Sequence, residues 1–122
     1  MNRQRVQSEF EKYVSHYDTA DPKIRLKIEH TYKVADLCER IARSLSMSEE
    51  EITAAWICGM LHDIGRFEQV HRFHTFIDAE SVDHAKFGAE LLFGEKKLIC
   101  RFLDKTDWHE RIRDAIYWHS AY

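Results

Sequence analysis

Apolar residues recur at intervals of three and four along nearly the whole of this 122-residue chain, and only one proline and four glycines interrupt them. That period belongs to the α-helix, and it predicts an all-α fold: a compact bundle of about six helices in one domain over residues 1–122. A first helix is expected over Asn2–Tyr17, with Val6, Phe10, Tyr13, Val14 and Tyr17 on one stripe. Asp18-Thr19-Ala20-Asp21 ends it, and Asp21 as N-cap with Pro22 at the first helical position opens a second helix over Pro22–Leu45. Its stripe reads Leu26, His30, Val34, Leu37 and Ile41, which turns His30 inward with the expected core.

Ser46-Met47-Ser48 is a turn, and Ser48 with Glu51 forms a capping-box signature for a third helix. That helix carries Ile52, Ala55, Trp56, Gly59, His62 and Asp63, with Gly65 as its stop. Residues 66–81 show no helical period, and a connection of that length in a compact domain is uncommon unless it serves a site, so a loop or lid is expected there. A fourth helix begins near Asp83, stacks His84, Gly88 and Leu91 on one face and ends at Gly94. Leu98, Ile99, Phe102 and Leu103 indicate a short fifth helix. The sixth starts at Asp107 or Trp108, places Ile112, Ala115 or Ile116, and His119 on one stripe, and meets no stop signal before Tyr122.

Composition narrows the class. Hydrophobic content of 44% with 32% charged residues describes a soluble globular chain, not a disordered one. A net charge of −3 gives no general attraction to nucleic acid or acidic membranes, and no basic stretch interleaved with aromatics is present. Nucleic acid is therefore not expected as the primary partner. The charged N-terminus lacks the apolar core of a signal peptide, and the longest apolar run, Ala54–Leu61, falls far short of the roughly 20 residues of a membrane span. No membrane partner and a cytoplasmic location are expected. Cys38, Cys58 and Cys100 are odd in number and lie in helical apolar patterns, which favours buried reduced thiols over a disulfide framework.

The chemistry gathers around the apolar run that ends in His62-Asp63-Ile64-Gly65. An imidazole beside a carboxylate at the buried end of a helix needs a partner, because an unpaired buried charge costs several kcal/mol. A metal ion is the simplest such partner. His30, His62, His84 and His119 fall on the apolar faces of four separate helices, and a bundle aims such side chains at a shared axis. One inward histidine alone is ordinarily a core residue bonded to a carbonyl; four are harder to explain so. Imidazole and carboxylate donors suit manganese, iron, cobalt, nickel or zinc, and the lack of inward cysteine pairs argues against a structural thiolate zinc site. His16, His71, His74 and His109 lie at ends, in loops or in polar positions and read as surface residues.

Four ordered blocks carry a family resemblance: Lys27-Ile28-Glu29-His30-Thr31, Met60-Leu61-His62-Asp63-Ile64-Gly65-Arg66-Phe67, Asp83-His84 through Leu91-Leu92, and Ile116-Tyr117-Trp118-His119-Ser120. Over about Ile24 to Ser120 the chain resembles the HD-domain superfamily of metal-dependent phosphohydrolases. The resemblance implies that His30, His62 and Asp63 are metal ligands, and that His84 and His119 hold a second ion or contact the phosphate. It places Lys27 and Arg66 where members often set a positive charge near the substrate, although a solvated-surface role is equally compatible with each. Asp63, His84 and His119 would then be the catalytic residues, one or two divalent transition metal ions the cofactor, and a nucleotide or another small phosphorylated metabolite the substrate.

Two rival functions share this residue set. Some members of the superfamily hold two irons and activate oxygen, and a catalytically silent HD-like domain would serve as a regulatory or scaffolding module. Members also close the site with a further aspartate on a later helix, whereas Asp104, Asp107 and Asp114 come too early to match it and the chain ends three residues after His119. The sequence thus reads as the N-terminal portion of a longer protein or as a short form with an incomplete site. A helical pattern that runs to Tyr122 without a stop favours the first of these. Apolar surface left uncovered in such a portion would favour self-association into a homo-oligomer.

Overall fold

The computed structural model describes residues 1–121. Its helices are α1 (Arg3–Val14), α2 (Pro22–Ser44), α3 (Glu49–Leu61), α4 (Ile64–Phe73), α5 (His84–Phe93), α6 (Ile99–Phe102) and α7 (His109–Trp118), with a 3-10 turn at Asp78–Glu80. The described residues contain no strand, as the helical period predicts. None of these helices is long and apolar enough to cross a membrane.

The helix starts follow from local chemistry. Asn2 accepts a hydrogen bond from the Arg5 backbone N–H, Asp21 from that of Lys23 with Pro22 behind it, and Ser48 and Glu51 close the capping box on α3. Glu49, Glu50 and Glu51 all sit in the first turn of α3, where the helix dipole favours negative charge.

The hub is α3. It packs against α1, α2 and α7, and its buried residues Ile52, Ala54, Ile57, Gly59, Met60 and Leu61 run nearly all round it, as expected of a helix enclosed by others. Val6, Phe10 and Val14 of α1 complete the core on one side, with Phe10 edge-on to the rings of Tyr32 and Phe67. Phe102, Ile112 and Ile116 complete it on the other. Ile116, not the exposed Ala115, is the inward residue of α7.

Three features depart from the sequence reading. The buried face of α2 is Ile24, Thr31, Ala35 and Ala42, whereas Leu26, Leu37 and Ile41 are 58%, 50% and 59% exposed. The cause is the close crossing with α3: a Cβ added to Gly59 would lie 2.5 Å from the Ala35 Cα, so only small residues fit between the two backbones. The core face of α2 is thus marked by alanine and threonine, and its larger aliphatic side chains face solvent.

The second departure is α4. Gly65 does not stop a helix; it lies in the first turn of a new one, which occupies most of the segment expected to be irregular. Ile64, Phe67 and Val70 are its buried stripe, and His74 ends it in the left-handed conformation at φ 58°. The third is the end of α7. Trp118 is its last helical residue and 119–120 form a turn, so the helix does not continue toward Tyr122, which lies outside the described residues. The cysteines are free thiols as expected, but Cys100 is exposed and the other two are half-buried. Burial pushes the Cys58 thiol up to about 11.

Candidate metal centre

His62 and Asp63 form the two-residue joint between α3 and α4. Asp63 sits at the N-cap position of α4 yet makes no side-chain capping bond, because its carboxylate turns into the protein, where its side chain is 4% exposed. The joint is held close to α5 by a glycine pair. A Cβ on Gly65 would meet the His84 carbonyl oxygen at 2.6 Å and the Gly88 nitrogen at 2.8 Å, so this crossing admits no larger residue at 65. It brings His84, the first residue of α5, against Asp63. Lys27 and His30 project from successive turns of α2, and His119 caps the C-terminus of α7.

Around Asp63 these side chains form two triangles. On one side His30 Nε2, His62 Nε2 and Asp63 Oδ2 are mutually 3.3 Å apart. On the other, His84 Nε2 and His119 Nε2 are 3.1 Å apart and lie 3.6 and 3.4 Å from Asp63 Oδ1. Ligands at roughly 2.1 Å from a metal ion stand about 3.0–3.4 Å from one another in octahedral or tetrahedral geometry. The first triangle has that size, the second has it on two edges with the third slightly longer at 3.6 Å, and each is a group that could hold a metal ion.

The far nitrogens decide what the near ones offer. His62 Nδ1 donates to the Gly59 carbonyl and His119 Nδ1 to the Ile116 carbonyl, each at 2.7 Å, because a carbonyl only accepts. His84 Nδ1 meets the Asp78 carboxylate at 2.7 Å. With Nδ1–H so engaged, each of these rings turns Nε2 toward Asp63, where it gives a proton to the carboxylate when no ion is bound or a lone pair to an ion that is, the arrangement by which protein histidines are oriented as metal ligands. Paired imidazole lone pairs at 3.1–3.3 Å repel unless a proton or a cation lies between them. The donor set fits a divalent transition metal on these grounds.

The titration behaviour agrees. Burial pushes the Asp63 carboxyl up, but hydrogen bonds from His119 and His62 and the charges of His62 and Lys27 outweigh it, holding the group well below the usual carboxylate range. Burial pulls His30 down, helped by the charge on Lys27, and pulls His84 down despite its bond to Asp78. His119 goes the other way: burial lowers its affinity for a proton, but the bonds to Asp63 and the Ile116 carbonyl raise it more.

The structure thus brings together His30, His62, Asp63, His84 and His119 from five positions in the sequence. His30 does not point into the apolar core as its stripe implies; its side chain is 42% exposed and lies at the rim of the cluster. Lys27 Nζ bonds Asp63 Oδ2 at 3.1 Å. Arg66 is spoken for elsewhere: its Nη1 donates to Gln69, to the Phe76 carbonyl and to Asp78 Oδ1, tying α4 to the segment that follows it. His16, His71 and His74 are exposed, and His109 packs its ring against Phe93. Cavities of about 330 and 440 Å³ open elsewhere, one beside Arg5 and Trp108 and one between α5 and α7 beside Phe93 and Tyr117. Neither is lined by the cluster.

One residue of the site has no sequence signal. Asp78, on the 3-10 turn, holds both the Nδ1 and the backbone N–H of His84 while accepting from Arg66 and Gln69. A single aspartate in a polar segment belongs to no hydrophobic period, and only the proximity of its turn to α5 reveals it.

Comparison with known proteins gives one family and one relative. The family model for the HD domain matches residues 28–121. The chain is 26% identical over 111 residues to the 3'3'-cGAMP-specific phosphodiesterase 1 of Vibrio cholerae serotype O1, an overlap of 82% of this chain and 25% of that protein. It therefore spans about a quarter of the length of the curated relative. No solved structure gives a significant match.

Proposed function

The chain belongs to the HD domain family, and from that premise we propose that it is a metal-dependent phosphohydrolase acting on a nucleotide or another small phosphorylated metabolite. The observation that carries this reading is the sharing of one buried carboxylate by two histidine pairs at ligand spacing. His30, His62 and Asp63 would hold one divalent ion, and Asp63, His84 and His119 would hold a second. Nitrogen and oxygen donors without thiolate suit manganese, iron, cobalt, nickel or zinc. Such an ion supplies Lewis acidity, polarising phosphoryl oxygens and making water a stronger acid near neutral pH.

The remaining work falls to side chains. Asp63 stays ionised through the neutral range and can accept a hydrogen bond from the attacking water, orienting it toward phosphorus. With the second ion bound, His119 Nε2 is one of its ligands; without that ion the same atom can hold a proton, more readily than an ordinary histidine, and present it to the departing oxygen. His84, braced by Asp78, keeps its Nε2 aimed at the same space. Lys27 sets an ammonium at the rim beside the Phe76 ring, where it can neutralise phosphate charge. Arg66 adds positive potential without contact, since its field opposes protonation of His30, His84 and His119.

The test is product release from a panel of phosphomonoesters, nucleotides and cyclic dinucleotides, the last included because the relative is named for one. The chain loaded with manganese, cobalt, iron or zinc should turn over at least one member, and Asp63→Ala should abolish that turnover. Retained activity in Asp63→Ala would remove this residue from the chemistry. Two histidines with one carboxylate also make the facial set used by non-haem iron oxygenases, so a second reading is an oxygen-activating di-iron centre. Oxygen consumption by the iron-loaded chain, without phosphate release, would decide for it.

A further inference from the structure

The two triangles match in donors but not in their surroundings. Asp63 Oδ2 has three neighbours, the Nε2 atoms of His30 and His62 and the ammonium of Lys27, the last being closest at 3.1 Å. Among the described residues, Asp63 Oδ1 has the imidazoles of His84 and His119 beside it. Lys27 is 17% exposed along its side chain, sits one helical turn before His30, and has its Nζ 5.5 Å from the centre of the Phe76 ring. It is the residue immediately before the stretch matched by the family model.

From this we infer that Lys27 is a built-in occupant of the His30–His62–Asp63 half of the site, a tethered cation that must move before a metal ion can bind there. The inference rests on the metal-centre reading above. A dication placed among His30, His62 and Asp63 Oδ2 would lie within a few ångströms of the ammonium that shares that oxygen. Like charges so close in a partly desolvated site repel strongly, and the oxygen cannot serve both at full strength. The other half has no tethered ammonium on its oxygen, because Lys27 bonds the opposite oxygen of the carboxylate. The two halves therefore fill in order: the Asp63–His84–His119 half first and tightly, the His30–His62–Asp63 half second and more weakly. Metal entry into the second half frees the ammonium at the rim beside Phe76, so a phosphate-binding charge becomes available only when that half is loaded.

Calorimetric and visible-absorption titration of the metal-stripped whole chain with Co²⁺ tests this without any turnover. The wild type should take one equivalent tightly and a second at least tenfold more weakly. Lys27→Met, close in shape but uncharged, should tighten the second equivalent by about tenfold or more and leave the first unchanged, while Lys27→Arg should keep the wild-type gap. His30→Ala should erase the weak equivalent alone, and His84→Ala the tight one. Lys27→Gln serves as the neutral variant if Lys27→Met is not folded by circular dichroism. Unchanged or weakened second-site affinity in a folded neutral variant overturns the inference while leaving the metal centre standing. Failure of wild type and variants alike to bind Co²⁺ overturns the metal centre, and this inference with it.

Discussion

His84 Nδ1 lies 2.7 Å from Asp78 Oδ2, and the same carboxylate reaches Arg66 and Gln69 through its other oxygen. A residue of the 3-10 turn therefore sets the orientation of a histidine that begins α5.

Asp78→Asn keeps the shape and removes the charge. It should weaken metal binding by roughly 10–100-fold, the usual effect of losing a carboxylate behind a ligating histidine. Fitted Co²⁺ titrations check this; affinity equal to wild type would show that Asp78 braces the segment only.

On α2, the structure and the hydrophobic stripe read from sequence make opposite forecasts. Leu37→Gln, at an exposed position, should change stability by no more than about 0.5 kcal/mol. Ala35→Leu, facing the backbone of Gly59, should cost about 1–3 kcal/mol or more by overpacking. Urea denaturation of the two variants separates the readings, and the reverse ranking would mean that α2 is turned the other way.

Gly65→Ala drives a methyl group to 2.6 Å from the His84 carbonyl oxygen and 2.8 Å from the Gly88 nitrogen. Neither is the end of a flexible side chain, so α4 and α5 must separate. The expected loss is again about 1–3 kcal/mol of stability, accompanied by weaker metal binding because His84 withdraws from Asp63. Stability and Co²⁺ affinity measured on the same preparation should fall together.

The pH dependence of the metal-stripped chain follows from three histidines. His30 and His84 have lowered values, so the unfolded chain binds more protons than the folded one just below pH 6.5, and stability falls as acid is added through that window. His119 has a raised value, so its contribution is fully present below 6.5 and is lost as pH rises through its folded value. Stability against urea should therefore peak near pH 6.5 in the presence of a chelator. Saturating metal should move the peak upward, because the ion displaces the proton that favours His119.

The sequence makes some of this legible and hides the rest for physical reasons. His30, His62, Asp63, His84 and His119 were readable because each stands in an ordered block at helical spacing. The helix α4 was hidden because Gly65, taken as a stop, serves a backbone crossing instead. The inner face of α2 was hidden because close packing selects Ala35 and Ala42, which carry less hydrophobic signal than the exposed Leu37 and Ile41. For Arg66 the resemblance allows a charge near the substrate or a solvated surface position equally, and no sequence pattern marks the hydrogen bonds its Nη1 makes to Gln69, Phe76 and Asp78.

The central claim is that two histidine pairs share Asp63 to hold cations. Crystals of the chain grown with Mn²⁺ or Zn²⁺ and measured at the metal absorption edge test it most directly. The account predicts anomalous peaks within about 2.3 Å of His84 Nε2, His119 Nε2 and an Asp63 oxygen, and at higher metal concentration a second beside His30 and His62. Metal found only away from Asp63, with these imidazoles facing one another across an empty gap, would contradict it.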